Sequence, residues 1–451
     1  LTPPAPEPPE HSQAFRIRRL LNWLPMGLMY AMMYMGRYNL TVFKKEVGEA
    51  FLDKSDFGII FGVGTAIYAF SFLVNGPLVD RIGGKRGILI GVGGVIAMNL
   101  AMGLFMRHVL MLEDHSTMPI VPVLSVLYGI NMYFQSYGAV SIVKVNATWF
   151  HVRERGGFSG IFGTLIASGL FFAYDGSKFV YNLSRGQGPG GMDATWWIFF
   201  APVLLLAAFW LVELFLLKDR PALAGHADFD TGDASSGDER EHVPTREIFV
   251  KILTSRVIMT VAAIEFCTGV LRQGIQQWFF IFASDAKGLN IAEGYFFQEH
   301  WGLLLLIAGI IGANAAGWTS DKVFGSRRAP AAGLLYLILA LSFAGIFFNM
   351  SSPWGLGILA VLIMTAVTGT HGLLSGTATM DFGGRKGAAT AVGLIDGFVY
   401  LGTAVQSFSL GYLTERSWSY WPVFLLPFSL IGFGLLISIW KAVPGGKKGG
   451  H

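Results

Sequence analysis

The chain is poor in charge and nearly devoid of cysteine. Only 14% of its 451 residues are Asp, Glu, Lys or Arg, against about a quarter in an ordinary soluble domain. So few charges do not keep a chain of this length in water, which excludes a soluble globular fold. The single cysteine, Cys267, excludes an intrachain disulfide and a cysteine-rich metal centre. No phosphate-binding loop, metal motif or nucleophile–base pair occurs, so neither an enzyme nor an ATP-driven pump is expected, and no cofactor. The formal net charge of +4 is spread over short loops, so no nucleic-acid partner is expected. The stretch LTPPAPEPPEHSQAF lacks the basic start and apolar run of a signal peptide and reads as a disordered tail.

What is present is apolar sequence: 53% of the residues are hydrophobic. Apolar segments of roughly 20 residues, the length that spans a bilayer, lie near 20–42, 57–79, 86–108, 120–149, 157–180, 193–217, 252–283, 299–320, 329–349, 354–379, 387–413 and 419–441. A bilayer offers no water to backbone polar groups, so each segment is predicted to be a helix. The stretch KDRPALAGHADFDTGDASSGDEREHVPTRE after the sixth segment is polar and acidic and reads as a linker. The predicted fold is therefore an all-α membrane protein of twelve transmembrane helices in two six-helix bundles. Its parts are a tail at 1–19, a bundle at 20–217, a cytoplasmic linker at 218–250, a second bundle at 251–441 and a tail at 442–451. With the N-terminus inside, the inner segments carry 22 Lys and Arg and the outer loops 8. That asymmetry predicts that both termini are cytoplasmic.

An internal repeat supports the division. GPLVDRIGGKR (Gly76–Arg86) follows the second segment and GWTSDKVFGSRR (Gly317–Arg328) follows the eighth. At an offset of 241, Gly76, Asp80, Arg81, Gly84 and Arg86 match Gly317, Asp321, Lys322, Gly325 and Arg327. An acid at a helix end and basic residues facing anionic lipid suit loops that gate conformational change. Two arginines are the strongest functional signal. Arg37 lies inside the first segment and Arg272 inside the seventh, its repeat equivalent. Equivalent helices bring such residues to face each other near the bilayer midplane. A charge at that depth costs several kcal/mol, on the order of ~3 or more, and is functional by default. Two guanidinium forks suit a compact, doubly charged phosphate or carboxylate. Tyr30 and Tyr34 lie seven and three residues before Arg37 on one helical face. Asn39, Gln135, His371 and Tyr400 are further candidate contacts, and Glu265 and Asp396 are candidate arginine partners or coupling acids. Lys144 reads as snorkelling towards the inner surface.

The repeated Gly-x-x-x-Asp-Arg/Lys-x-x-Gly-x-Arg pattern resembles the signature of the major facilitator superfamily. Tyr30, Tyr34, Arg37 and Asn39 in the first segment, Leu271, Arg272, Gly274, Ile275 and Trp278 in the seventh, Trp149, Phe150 and Glu154–Gly156, and Tyr400–Gly402 together resemble its organophosphate:phosphate antiporter family, which includes glycerol-3-phosphate and hexose-6-phosphate exchangers. The resemblance implies exchange of an organic phosphate for inorganic phosphate across a bacterial inner membrane by alternating access. It implies that Arg37 and Arg272 grip the phosphate and that Tyr400 lines the cavity. A monomer surrounded by lipid is expected. The chain departs from the family at Phe72, where a cavity lysine is usual, at Ile166 and Gly163, where a histidine and an asparagine are usual, and at Gly269, where a tyrosine is usual. The organic part of the ligand is then expected to be bulkier or more apolar. A proton-coupled symporter of an organic carboxylate, using Asp396 or Glu265, and a sugar-phosphate membrane sensor are the alternative functions.

The linker's composition cannot bury a core. Shortening 224–242 should leave ligand affinity unchanged in folded protein; a loss of affinity would make the linker part of the site or of its gating.

Overall fold

A computed structural model of the protein describes residues 10–151, 154, 164–165, 167–231, 250, 253–285, 294–325 and 327–441, without the side chains of Asp80 and of 376–392. The tail at 1–9, positions 163 and 166, the linker at 232–249 and the tail at 442–451 lie outside the described residues. The described elements are helices. They are α1 (Gln13–Val47), α2 (Lys54–Ile82), α3 (Gly84–Leu110), α4 (Ile120–Trp149), α5 (Ser177–Ser184), α6 (Trp197–Leu216), α7 (Arg256–Gln276), α8 (Trp278–Ser284), α9 (Trp301–Trp318), α10 (Arg328–Asn349), α11 (Pro353–His371), α12 (Thr379–Arg416) and α13 (Tyr420–Ser438). Single π-helical stretches precede α5 (Phe172–Gly176), follow α9 (Thr319–Val323) and join α11 to α12 (Gly372–Ala378).

Local chemistry sets several of these boundaries. Ser12 caps α1 by accepting from the Phe15 N–H at 3.2 Å. Asp53 and Asp56 form a reciprocal capping box that starts α2. Ser255 and Ser352 cap α7 and α11 by accepting from the Ile258 and Gly355 N–H groups. Eight of the helical segments are long and apolar enough to cross a bilayer on composition alone. α1 and α4 are long enough too, but their apolar runs are broken by Arg37, Asn39, Asn131, Gln135 and Ser136. These are the helices whose polar residues meet in the interior.

In the interior, α1 packs on α3, α4 and α6, while α7 packs on α11, α12 and α13. The two groups meet chiefly where α2 lies along α12. The end of the molecule that holds the start of α1 and the end of α13 is termed proximal, and the opposite end distal.

The distal end is sealed across the two groups. A Cβ placed on Gly58 of α2 would lie 2.6 Å from the Ser407 carbonyl oxygen and 2.8 Å from the Gly411 Cα of α12, so only glycine permits this backbone contact. One turn away, fully buried Lys54 pairs with Asp285 at 3.1 Å, Glu415 at 3.4 Å and Glu49 at 3.5 Å. Trp418 Nε1 donates to the same Asp285 carboxylate. Asp175 accepts from the first free N–H groups of α9, Gly302 at 3.0 Å and Leu303 at 2.9 Å, and so caps a helix of the other group. Lys178 pairs with Glu299 beside it.

At the proximal end the ion pairs among the described residues run within one group. Arg19 holds Glu154 with both guanidinium nitrogens at 3.0–3.2 Å. Burial of Glu154 opposes ionisation, but these bonds and the His151 N–H hold its carboxyl below the usual range. Asp321 pairs with Arg328 at 2.8 Å. Arg327, the residue matched to Arg86 by the repeat, instead donates to the Phe324 carbonyl. Arg81 and Arg86 are exposed. Lys144 is exposed as well, as its snorkelling reading requires.

Gly58→Val should force α2 and α12 apart at the distal end. Overpacking of this kind costs about 1–3 kcal/mol, so the apparent melting temperature in detergent should fall. Wild-type melting by this variant would mean that the α2–α12 contact does not close the distal end.

Candidate substrate site

Arg37 sits in the middle of α1 and is completely buried. Its Nη2 donates to Tyr68 Oη at 3.0 Å and to Gln135 Oε1 at 3.2 Å, and its Nη1 donates to Tyr400 Oη at 3.4 Å. The guanidinium carbon lies 4.6 Å from the centre of the Tyr34 ring and 4.7 Å from that of Tyr68. The Nε has no partner. Every one of these contacts is neutral, and among the described residues no carboxylate pairs with Arg37. The energetics still close. Placing arginine at the centre of a membrane helix costs about 2.5–3.5 kcal/mol on insertion scales, while a hydrogen bond to a charged group returns about 1.5–3 kcal/mol. The cage can hold the cation without cancelling its charge.

The surrounding helices fix the guanidinium. Gln135 Nε2 donates to the Met33 carbonyl at 2.9 Å, so its other end is held towards Arg37. Tyr128 donates to the Arg37 carbonyl at 2.8 Å. Asn99 and Asn131 both donate to the Gly36 carbonyl, at 3.2 and 3.1 Å. Asn39 belongs to this amide network: its Nδ2 donates to Asn99 Oδ1 at 2.8 Å. Asn39, expected as a ligand contact, faces α3 in this structure, because two residues along a helix is about 200° of turn. Tyr30 packs edge-on against Tyr34 with ring centres 5.5 Å apart, and its ring abuts Gly138 of α4.

Arg272 occupies the equivalent place on α7. It is partly exposed. Its Nε is buried without a partner, and among the described residues it forms no ion pair. Its guanidinium lies 5.8 Å from the centre of the Tyr400 ring. Tyr400 thus touches both arginines, one through its hydroxyl and the other through its ring. Immediately distal to the pair, α1 and α7 are joined by side chains. Gln273 donates to Tyr38 Oη at 3.0 Å, Thr41 donates to Gln277 Oε1 at 3.3 Å, and Gln277 donates to Gln273 at 2.8 Å.

Among the described residues neither candidate acid forms an ion pair with an arginine. Glu265 Oε2 lies 2.8 Å from His371 Nδ1, and Asp396 Oδ1 accepts from Ser375 at 2.5 Å. In this structure α11 and the π-helical stretch after it supply the hydrogen-bond partners of both acids. His371 is accordingly held by Glu265 at the end of α11. Phe72, at the family's lysine position, is buried edge-on against Tyr68 at 4.8 Å and parallel to Tyr400 at 6.0 Å. Gly269 also has a physical reason. A Cβ there would lie 1.9 Å from the Val399 carbonyl oxygen, and one on Gly402 would lie 2.1 Å from that of Phe266. α7 and α12 cross backbone to backbone, so the family's tyrosine has no room. Sequence reasoning passed over Tyr68, Tyr38, Gln273 and Gln277 as site residues. Tyr68 stands four residues before Phe72, and the glutamines follow Arg272 on its own helix, which was the available signal.

The arrangement presents two cations, one caged and one open, around a shared tyrosine, in a partly closed interior. It can take an anion with oxygens on two sides.

Comparison with known proteins agrees with this architecture. Residues 26–407 match the Major Facilitator Superfamily. The chain is 24% identical to a probable hexose phosphate transport protein of Chlamydia pneumoniae, over 97% of this chain and 96% of that one. It is also 24% identical to the glycerol-3-phosphate transporter of Bacillus subtilis, over 97% and 95%, and 23% identical to the membrane sensor protein UhpC of Escherichia coli, over 90% and 88%. The crystal structure of a bacterial homolog of the human lysosomal transporter Spinster superposes with a TM-score of 0.69 at 14% identity, covering 96% of this chain and 98% of that one. The chain belongs to the major facilitator superfamily, as an all-helical membrane protein related to glycerol-3-phosphate and hexose phosphate transporters.

Proposed function

We propose that this protein exchanges a phosphorylated organic metabolite for inorganic phosphate by alternating access, with Arg37 and Arg272 gripping the phosphate. The observation that carries the reading is the pair of interior guanidiniums that share Tyr400 and lack a carboxylate partner among the described residues. A dianion placed between them supplies the missing counter-charge. Arginine forks match phosphate oxygens in pairs. The related hexose phosphate and glycerol-3-phosphate transporters point to the same substrate class. The uneven distribution of Lys and Arg supports a membrane orientation with the proximal end in the cytoplasm. The distal seal of Lys54, Asp285 and Glu415 then closes the outer face, and this conformation exchanges ligand with the inside. A bacterial inner membrane is the proposed location and the monomer the proposed unit. Domain boundaries at 20–217 and 251–441 suit two halves rocking about this site.

The interior also carries a narrower filter. Phe72 closes with Tyr68 and Tyr400 into an aromatic cluster beside Arg37. It replaces a cation with ring faces, so the organic part of the ligand contacts apolar surface there. Proton-coupled uptake of an organic carboxylate is the second reading. It is favoured by the Glu265–His371 contact, which joins an acid on the arginine helix α7 to a histidine of α11. Phosphate counterflow in proteoliposomes separates the two: exchange of internal for external phosphate without a pH gradient supports the first, and uptake that requires the gradient supports the second.

Arg37→Lys keeps the charge but loses the planar fork and its bonds to Tyr68, Gln135 and Tyr400. One lost charge-assisted bond is worth about 1.5–3 kcal/mol, so phosphate affinity should fall roughly ten- to hundredfold. Arg272→Lys should behave alike, and the double variant should be strongly non-additive because both residues serve one ligand. Tyr400→Phe removes only a long bond and keeps the ring, so its loss should be smaller, about two- to tenfold. Near-normal phosphate exchange by a monodisperse Arg37→Lys protein would leave Arg37 as a structural charge.

A further inference from the structure

We propose that the Glu265–His371 pair is a proton site, and that it takes up one proton when an anion settles between Arg37 and Arg272. The inference rests on the reading that the arginines bind phosphate. Glu265 is completely buried, with Oε2 held 2.8 Å from His371 Nδ1 and Oε1 without a partner. A carboxylate in that position has no direct access to water. His371 does have access: a quarter of its side chain is exposed, and its Nε2 has no hydrogen-bond partner among the described residues. A proton therefore enters through Nε2. Glu265 lies seven residues before Arg272, two turns along the same face of α7, or about 10 Å of rise.

Among the described residues the charges facing Glu265 are few. They are His371 on α11, Asp396 on α12 and Arg272 on its own helix, with Tyr336 of α10 and Cys267 as neutral neighbours. Asp396 is engaged by Ser375, and Tyr336 is engaged by the Ile264 carbonyl and Thr268. The pair has two states. With one proton, on Nδ1, the imidazole is neutral and the pair carries −1, which the nearby Arg272 favours. With a second proton, on Nε2, an imidazolium faces the carboxylate and the pair is neutral. A dianion between the arginines reverses the local field and favours the second state. The only bond formed is Nε2–H, with the proton taken from solvent. This places a protonatable group on α11, on a different helix from the Phe72 position where a lysine is absent.

The test measures binding of inorganic phosphate to purified protein by calorimetry between roughly pH 6 and 8. Wild type is compared with His371→Gln and Glu265→Gln. Phosphate has its own pH dependence, and the variants should keep it. Wild-type affinity should fall more steeply with rising pH, by up to about tenfold more per pH unit, the limit for one linked proton. In buffers of different ionisation heat at the upper end of the range, wild type should take up about one proton per phosphate bound. Parallel slopes, or no proton uptake by wild type, overturn the proposal without touching the phosphate site. A folded His371→Gln protein that binds no phosphate at any pH also overturns it, because the histidine then belongs to the anion grip. Wild type that binds no phosphate at all overturns this inference together with the exchange reading.

Discussion

A buried guanidinium with no counter-ion among the described residues dominates the interior of this protein. Arg37 cannot lose its proton and cannot reach water, so its surroundings must solvate it. They do so with hydroxyls, an amide and aromatic faces rather than with a carboxylate. That choice determines much of the rest. Gln135 must be oriented by the Met33 carbonyl, α1 must be fixed to α3 and α4 by asparagines, and Tyr400 must cross from the other group of helices. A carboxylate would have satisfied the arginine more cheaply but would have neutralised it. The tyrosine cage keeps the positive charge available.

The same constraint links the two groups of helices. Tyr400 touches both arginines, and Tyr38, Gln273, Gln277 and Thr41 tie α1 to α7 just beyond them. Under the proposed function, an anion between the arginines would add a further bond across this boundary. The distal seal is chemically different. It uses a buried lysine with three carboxylates and a carboxylate-capped helix, together with glycines that bring α2 and α12 into backbone contact. Ion pairs in partly closed surroundings are directional and separable, whereas the proximal pairs Arg19–Glu154 and Asp321–Arg328 stay inside one group.

The departures from the family's residue pattern also acquire causes. Gly269 stands where a tyrosine is usual because α7 and α12 cross with no room for a side chain. Phe72 stands where a lysine is usual and completes an aromatic cluster with Tyr68 and Tyr400. Fewer cations then remain beside Arg37, and the aromatic faces leave it less competition for an anion from neighbouring side chains.

The amino-acid sequence by itself determined the membrane-spanning helices and the equivalence of the arginine helices. It could do so because hydropathy and repeats are local or periodic signals, and the cost of an intramembrane charge holds in any fold. Tertiary structure alone decided which polar groups meet. Asn39, two residues from Arg37, turns to Asn99 because successive residues on a helix diverge by about 100°. Glu265, on the face of Arg272, is claimed by His371 of α11, some hundred residues away in the chain. Tyr68, Gln135 and Tyr400 converge on one guanidinium from three helices. Such partnerships depend on how helices cross, and the crossings are set by backbone contacts such as Gly269 with Val399 that no local pattern encodes.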